Sequence, residues 1–128
     1  MTTPGATTMI RRRLAAALAE VDVRLARVPP PAPEGHQGDA ADRVIASQEH
    51  DGIVWDYARL QTRRRLLLAA LTRLAQRRYG ICLDCQQLIG VARLAAVPEV
   101  EHCLICQDRR ERAAAEANET SHPSRRTP

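Results

Sequence analysis

Four cysteines are the residues of this chain best suited to chemistry: Cys82, Cys85, Cys103 and Cys106, in two Cys-x-x-Cys pairs with 17 residues between them. Two thiolates separated by two residues can hold one ion from a single tight turn, and a second such turn completes a tetrahedron. Zinc suits this donor set. Four protein ligands leave no open coordination position, so the metal would be structural and not catalytic. Binding it would also supply folding free energy. Two other readings compete. A redox dithiol pair usually sits in a thioredoxin-like strand and helix, which the flanking residues do not offer. Disulfides would need an oxidising compartment. The N-terminal apolar run, Leu14 to Ala19, is interrupted by Glu20 and Asp22 and is too short for a signal peptide. No stretch approaches the ~18 apolar residues of a membrane span. The chain is therefore expected to be cytoplasmic, with reduced thiols, bound Zn2+ and no membrane association. His102 adjoins Cys103 but is unnecessary as a ligand beside four thiolates. No nucleophile paired with a base can be named, so an enzyme is not expected.

The elements that must position these cysteines are helical. Aromatic residues make up 2% of the chain, with no Phe and one Trp, and Leu and Ala dominate instead. Large rings anchor most small cores, so Leu/Ala seams on long helices fit this composition better. Leu14, Leu18, Val21, Leu25 and Val28 recur at spacings of 4, 3, 4 and 3, a heptad seam. Pro29, Pro30 and Pro31 end that helix and open a linker, "PPPAPEGHQG". A second seam reads Ile53, Tyr57, Leu60, Arg64, Leu67, Leu71 and Leu74, with one Arg breaking it. The first helix, Thr7 to Val28, would span about 33 Å and the second, Asp42 to Arg78, about 55 Å. The predicted fold is all-α: an antiparallel helical hairpin, or coiled coil, attached to a small four-Cys zinc finger and followed by a short C-terminal helix in "QDRRERAAAEANE". The unequal lengths leave part of the second helix unpaired or covered by the loop. Trp55 reads as a packing residue. Expected boundaries are 1–78 for the N-terminal segment and hairpin, 79–119 for the finger with its helix, and 120–128 for a disordered tail.

Charge is segregated along the chain. The net +4 combines −5 over residues 29–58 with +7 over 59–80. Between the Cys pairs lie Arg93, Glu99 and Glu101. A loop that reads a polyanion should be basic, so the finger itself is a poor DNA reader. The Arg run on the second helix, including Arg59, Arg63 and Arg73, is either a solvated face or a contact surface.

The finger residues resemble the DksA/TraR family of bacterial transcription regulators. The resemblance rests on "YGICLDC" and "IGVARLAAVPEVEHCLICQDRRE", with Tyr79, Gly80, Arg93, Leu94, Pro98, Gln107 and Glu111 at the family's motif positions. Gln86 departs from it, standing where the family usually has glycine, at a position that favours a left-handed backbone. Upstream, "DAADRV" resembles the family's acidic tip motif: Asp39 and Asp42 match its aspartates, and Val44 stands in place of alanine. The resemblance implies a coiled coil that enters the secondary channel of RNA polymerase and carries the tip carboxylates toward the catalytic region, modulating initiation. It also makes Arg59 a candidate polymerase contact. Capping of the second helix is the plainer role for Asp39 and Asp42. Some family members respond to guanosine tetraphosphate through basic residues on the second helix and after the last Cys. Leu66 and Gln107 are neutral there, which weakens the case for this effector. The alternative reading is a basic zinc-finger module that binds nucleic acid directly through the second helix. The acidic block around the tip speaks against it, and sequence-specific DNA binding is not expected.

Overall fold

The computed structural model describes residues 3–28 and 40–121, and of residues 40–51, 53 and 121 it describes the helix without the side chain. Four helices follow in order: α1 (Pro4–Arg27), α2 (Ala40–Ala75), α3 (Val91–Ala96) and α4 (Leu104–Ser121). Helix α1 starts where sequence chemistry favours it. The Thr3 hydroxyl accepts the Ala6 N–H at 3.4 Å, and Pro4 takes the first helical position, where its missing N–H costs nothing. At the other end the Val28 N–H donates to the Arg24 carbonyl at 3.1 Å. The expected proline linker lies outside the described residues.

Helices α1 and α2 pack as an antiparallel hairpin along the two predicted seams. Leu14 and Val21 of α1, and Leu60, Leu67, Ala70 and Leu74 of α2, form its buried core. Leu18, Leu25, Val28 and Leu71 pack partly buried against it. The buried leucines of α2 are seven residues apart, the repeat that keeps one helix face toward its partner. Arg64, which interrupts the seam, swings to the flank and pairs with Asp22 of α1 at 2.8 Å. Both side chains are about half exposed, so the pair fixes register more than it stabilises. Ile53, the first residue of the predicted seam, has no described side chain.

The end of α1 lies beside Asp56, Arg59 and Leu60, which share a groove with Arg24, Arg27 and Val28. The part of α2 from Ala40 to Trp55 therefore extends past the end of α1, by about 24 Å at 1.5 Å per residue. Trp55, read from the sequence as packing, is 70% exposed: two residues from both Ile53 and Tyr57, it lies about 200° around the helix from the seam.

Helix α2 ends in a left-handed turn without glycine. The Arg78 N–H donates to the Arg73 carbonyl (2.8 Å) and the Arg77 N–H to the Leu74 carbonyl (3.2 Å), while Arg77 takes φ 61°. These are the two reciprocal bonds of a Schellman cap. The cap turns the chain back into the finger, so α2 ends at Ala75, before the predicted Arg78.

The finger is fastened along the lower part of α2 by polar contacts. Arg63 pairs with Glu99 at 3.3 Å, and Arg73, itself buried, pairs with Glu101 at 3.4 Å. The Tyr79 hydroxyl donates to the Pro98 carbonyl at 2.8 Å, and Arg13 of α1 donates to the Ala95 carbonyl. Burial raises the Tyr79 pKa above its ordinary value, so the phenol stays a donor. Arg63 and Arg73 are thus internal ties, neither a free solvated face nor a free contact surface. The basic run of α2 and the acidic loop of the finger are two halves of one interface. The pair of Arg73 and Glu101 should behave accordingly. Arg73→Gln is expected to lower stability by about 1–3 kcal/mol, because it leaves Glu101 without its cation in a partly dry site. A double-mutant cycle with Glu101→Gln, followed by denaturant unfolding, should show non-additivity. Additive losses would mean that the two groups do not interact.

Candidate metal centre

The first cysteine pair sits on a tight hairpin. The Ile89 N–H donates to the Gly80 carbonyl (2.8 Å) and the Cys82 N–H to the Gln87 carbonyl (2.8 Å), with an antiparallel bridge between Ile81 and Leu88. Within it the Gln86 N–H closes onto the Cys82 carbonyl at 3.0 Å. Gln86 lies in the left-handed region with φ 62°, as its glycine-favouring position predicts. Its own amide donates to the Leu83 carbonyl at 3.2 Å, offsetting part of the strain. The second pair is carried by a helix start. Cys103 immediately precedes α4 and Cys106 lies in its first turn, with the Gln107 N–H donating to the Cys103 carbonyl at 2.9 Å. Helix α4 therefore begins inside the second Cys pair, earlier than the stretch read from the sequence. A free N-terminal turn with its positive dipole end suits two thiolates.

The structure brings all four sulfurs within 4.8 Å of one another. Cys85 Sγ and Cys103 Sγ are 3.8 Å apart, and no disulfide links the cysteines. Zinc–sulfur bonds of about 2.3 Å set the edges of a tetrahedron at about 3.8 Å, so the spacing fits this ion. Protonation chemistry points the same way. Burial pushes the Cys82 thiol up, but backbone N–H groups of Cys85, Cys103 and Asp84 outweigh it and bring the pKa down to about 6. Cys106 is pushed up to about 12, first by its interaction with Cys103 and then by burial. Four thiolates this close cannot all ionise without a cation among them; a dication lets every one lose its proton. Cys82, Cys85, Cys103 and Cys106 would hold a structural Zn2+, and with no fifth position they offer it no substrate.

Side chains around the cluster lock the two knuckles together. Asp84 of the first knuckle accepts two hydrogen bonds from Arg110 of α4, at 2.6 and 2.8 Å. The Arg110 hydrogen bond holds the Asp84 carboxyl below its ordinary range. His102 turns its ring toward the same carboxylate (3.7 Å) and stays out of the sulfur cluster. The Leu83 N–H donates to the Glu101 carbonyl at 3.0 Å. Asp84 and Arg110 were not singled out from the sequence: they are 26 residues apart with no shared motif.

The residues that carry the family resemblance each hold part of the finger. Gly80 has φ 83°, and a Cβ there would lie 3.2 Å from Leu94 Cδ1. Arg93 donates to the His102 carbonyl at 3.0 Å and to Gln107 Oε1, and Gln107 in turn donates to Glu111 at 2.9 Å. Gln107 is thus tied into a chain from Arg93 to Glu111. Of the expected tip residues, Asp39 lies outside the described residues; Asp42 and Val44 fall in the first two turns of α2, with side chains outside the description. Arg59 is exposed on α2 and far along the chain from the cysteines.

Two outcomes test this centre. Chelation, or Cys103→Ser, should melt the finger and lower the thermal midpoint markedly, because metal binding and folding are coupled. An unchanged melting curve together with no zinc by elemental analysis would refute it. Gln86→Gly should stabilise the zinc-loaded protein by up to about 1 kcal/mol, by removing the cost of a side chain at positive φ. Chelator competition should find zinc held at least as tightly.

Comparison with known proteins follows this geometry. Residues 77–112 match the family model of the prokaryotic DksA/TraR C4-type zinc finger. No protein of curated function matches the chain. Among solved structures, the transcription factor DksA2 from Pseudomonas aeruginosa superposes with a TM-score of 0.65 at 21% sequence identity, over 89% of each chain. Residues 77–112 are thus similar to the DksA/TraR C4-type zinc finger, and they are mounted on a chain that shares the fold of DksA2.

Proposed function

We propose that this chain regulates transcription by binding RNA polymerase directly, with the α1–α2 rod entering the secondary channel and Asp39 and Asp42 acting at its tip. The observation that carries the reading is the arrangement of α2. Asp42 lies in its first turn, and the first zinc cysteine follows its far end, so the helix separates the two by about 50 Å. A stiff element of that length can carry carboxylates to a remote centre while the finger stays outside. The likeness in fold to DksA2, a transcription factor, supports the same reading. Polymerase would supply the catalytic metal and the basic groups; the regulator would contribute charge and position and no chemistry. Val44, in place of alanine, puts a β-branched group beside the tip. The zinc finger acts here as a base that holds the rod.

Direct nucleic-acid binding through α2 gains nothing from the geometry. Arg63, Arg64 and Arg73 are already paired with Glu99, Asp22 and Glu101. No helix among the described residues is long and apolar enough to cross a membrane.

Asp42→Asn should cost no more than ~1 kcal/mol of stability, as a weakened charge at a helix start. It should abolish the effect on transcription in a reconstituted assay while polymerase core is still captured. An unaltered transcript level with this variant would end the assignment of the tip. Retardation of random duplex DNA by the wild-type chain, without capture of polymerase core, would favour the nucleic-acid reading.

A further inference from the structure

The four sulfurs come from two separate pieces of chain. Cys82 and Cys85 belong to the hairpin closed by the bridge between Ile81 and Leu88, and Cys103 and Cys106 to the start of α4. An ion held by all four is released when those pieces part. Little apolar contact resists that motion. Helix α4 packs against no other helix among the described residues, and the core at this end is small, with Ile89, Leu94 and Val100 around the sulfurs. Polar ties must resist it instead. Arg93 reaches α4 through Gln107, and Arg110 of α4 grips Asp84 with two bonds at 2.6 and 2.8 Å. The second tie joins the first knuckle directly to the helix that carries Cys106. Asp84 stands between Cys82 and Cys85, and Arg110 stands one helical turn past Cys106. Cys82 and Cys106 are buried while Cys85 is exposed, so solvent meets the cluster first beside Asp84.

We infer that Asp84 and Arg110 form a clasp that sets how fast zinc leaves the finger, as positioning residues whose side chains stay outside the coordination sphere. A planar guanidinium that makes two bonds to one carboxylate fixes direction as well as distance. The clasp therefore holds the first turns of α4 where Cys103 and Cys106 meet the hairpin. It also holds Asp84, whose backbone N–H is one of those that favour the Cys82 thiolate. Groups that orient metal ligands from outside govern how well the metal is retained. His102, 3.7 Å from the same carboxylate, precedes α4 and cannot replace Arg110 as a tie to it. The Asp84 and Arg110 side chains are 35% and 59% exposed, so the pair adds little to global stability. Its effect falls on local opening of the finger, which needs far less than global unfolding. The inference rests on the reading of the cluster as a zinc site.

The test times zinc transfer from the zinc-loaded full chain to an excess of a colorimetric chelator. Asp84→Asn and Arg110→Gln are compared with the exchanged pair Asp84→Arg/Arg110→Asp. The control is Arg112→Gln, whose partner Asp108 lies on the same helix at 3.2 Å. Each single variant should release zinc roughly tenfold faster, with little change in the thermal midpoint of the loaded protein. The exchanged pair should return toward the wild-type rate, and the control should match it. Salt should quicken release from the wild type more than from Arg110→Gln, because an exposed ion pair is screened. Wild-type rates in both single variants would overturn the clasp. So would equal acceleration in the Arg112 control, or an exchanged pair as fast as the single variants. Should the variants fail to load zinc, the wild type still decides: a release rate indifferent to salt would overturn the inference. A wild type that holds no zinc removes the metal centre and the clasp with it, whereas a loaded wild type with unaltered variants removes the clasp alone.

Discussion

Four thiolates can share a space of 4.8 Å only around a cation. The small end of this molecule depends on that constraint. Residues 79–103 contain one six-residue helix, one isolated bridge and few buried apolar side chains. Such a segment cannot meet the conformational entropy of ordering itself through apolar burial alone. The ion joins a hairpin turn to the start of α4, and the polar ties among Asp84, Arg93, Gln107 and Arg110 then have fixed points between which to form. Helix α4 is exposed over most of its length and packs little beyond its first turn, so its start at Cys103 matters as much as its composition.

Part of the electrostatic segregation along the chain resolves inside the fold. The basic stretch of α2 meets the acidic loop of the finger at Arg63–Glu99 and Arg73–Glu101, and the alternation of charged blocks in the sequence thereby becomes a pairing of rod and finger. The ties are costly where they are dry. Arg73 Nη2 and Glu99 Oε2 are buried without a hydrogen-bond partner among the described residues. Ion pairs with imperfectly satisfied members orient parts more reliably than they stabilise them. They set the direction in which the rod leaves its base, and that direction matters if the rod is to enter a channel.

Much of this was legible in the sequence for identifiable reasons. The Cys pairs announce a tetrahedral site because the metal dictates ligand spacing. The hairpin was readable because Leu14, Val21, Leu60, Leu67 and Leu74 repeat every seven residues, a period that few other folds require. The left-handed turn at Gln86 could be anticipated from the glycine usual at such a knuckle. Helix α3 was missed because six residues are too few to display a helical period. The early start of α4 was missed because its first turn is ordered by what surrounds the sulfurs and not by its own residues. Arg63 and Arg73 were read as surface because pairing with residues 28 to 36 positions away leaves no local trace. Trp55 was misplaced because a lone aromatic was taken for a core residue although it lies off the heptad seam, about 200° from Ile53 and Tyr57.

The ligands all lie late in the chain, and this orders events in time. Both helices of the hairpin are complete by Ala75, and Cys82 is seven residues further on. As the polypeptide emerges from the ribosome, the two seams can find each other before any thiol is available to metal. Arg63 and Arg73 then wait in water for Glu99 and Glu101, and the last ligand, Cys106, closes the clasp onto a rod that is already formed.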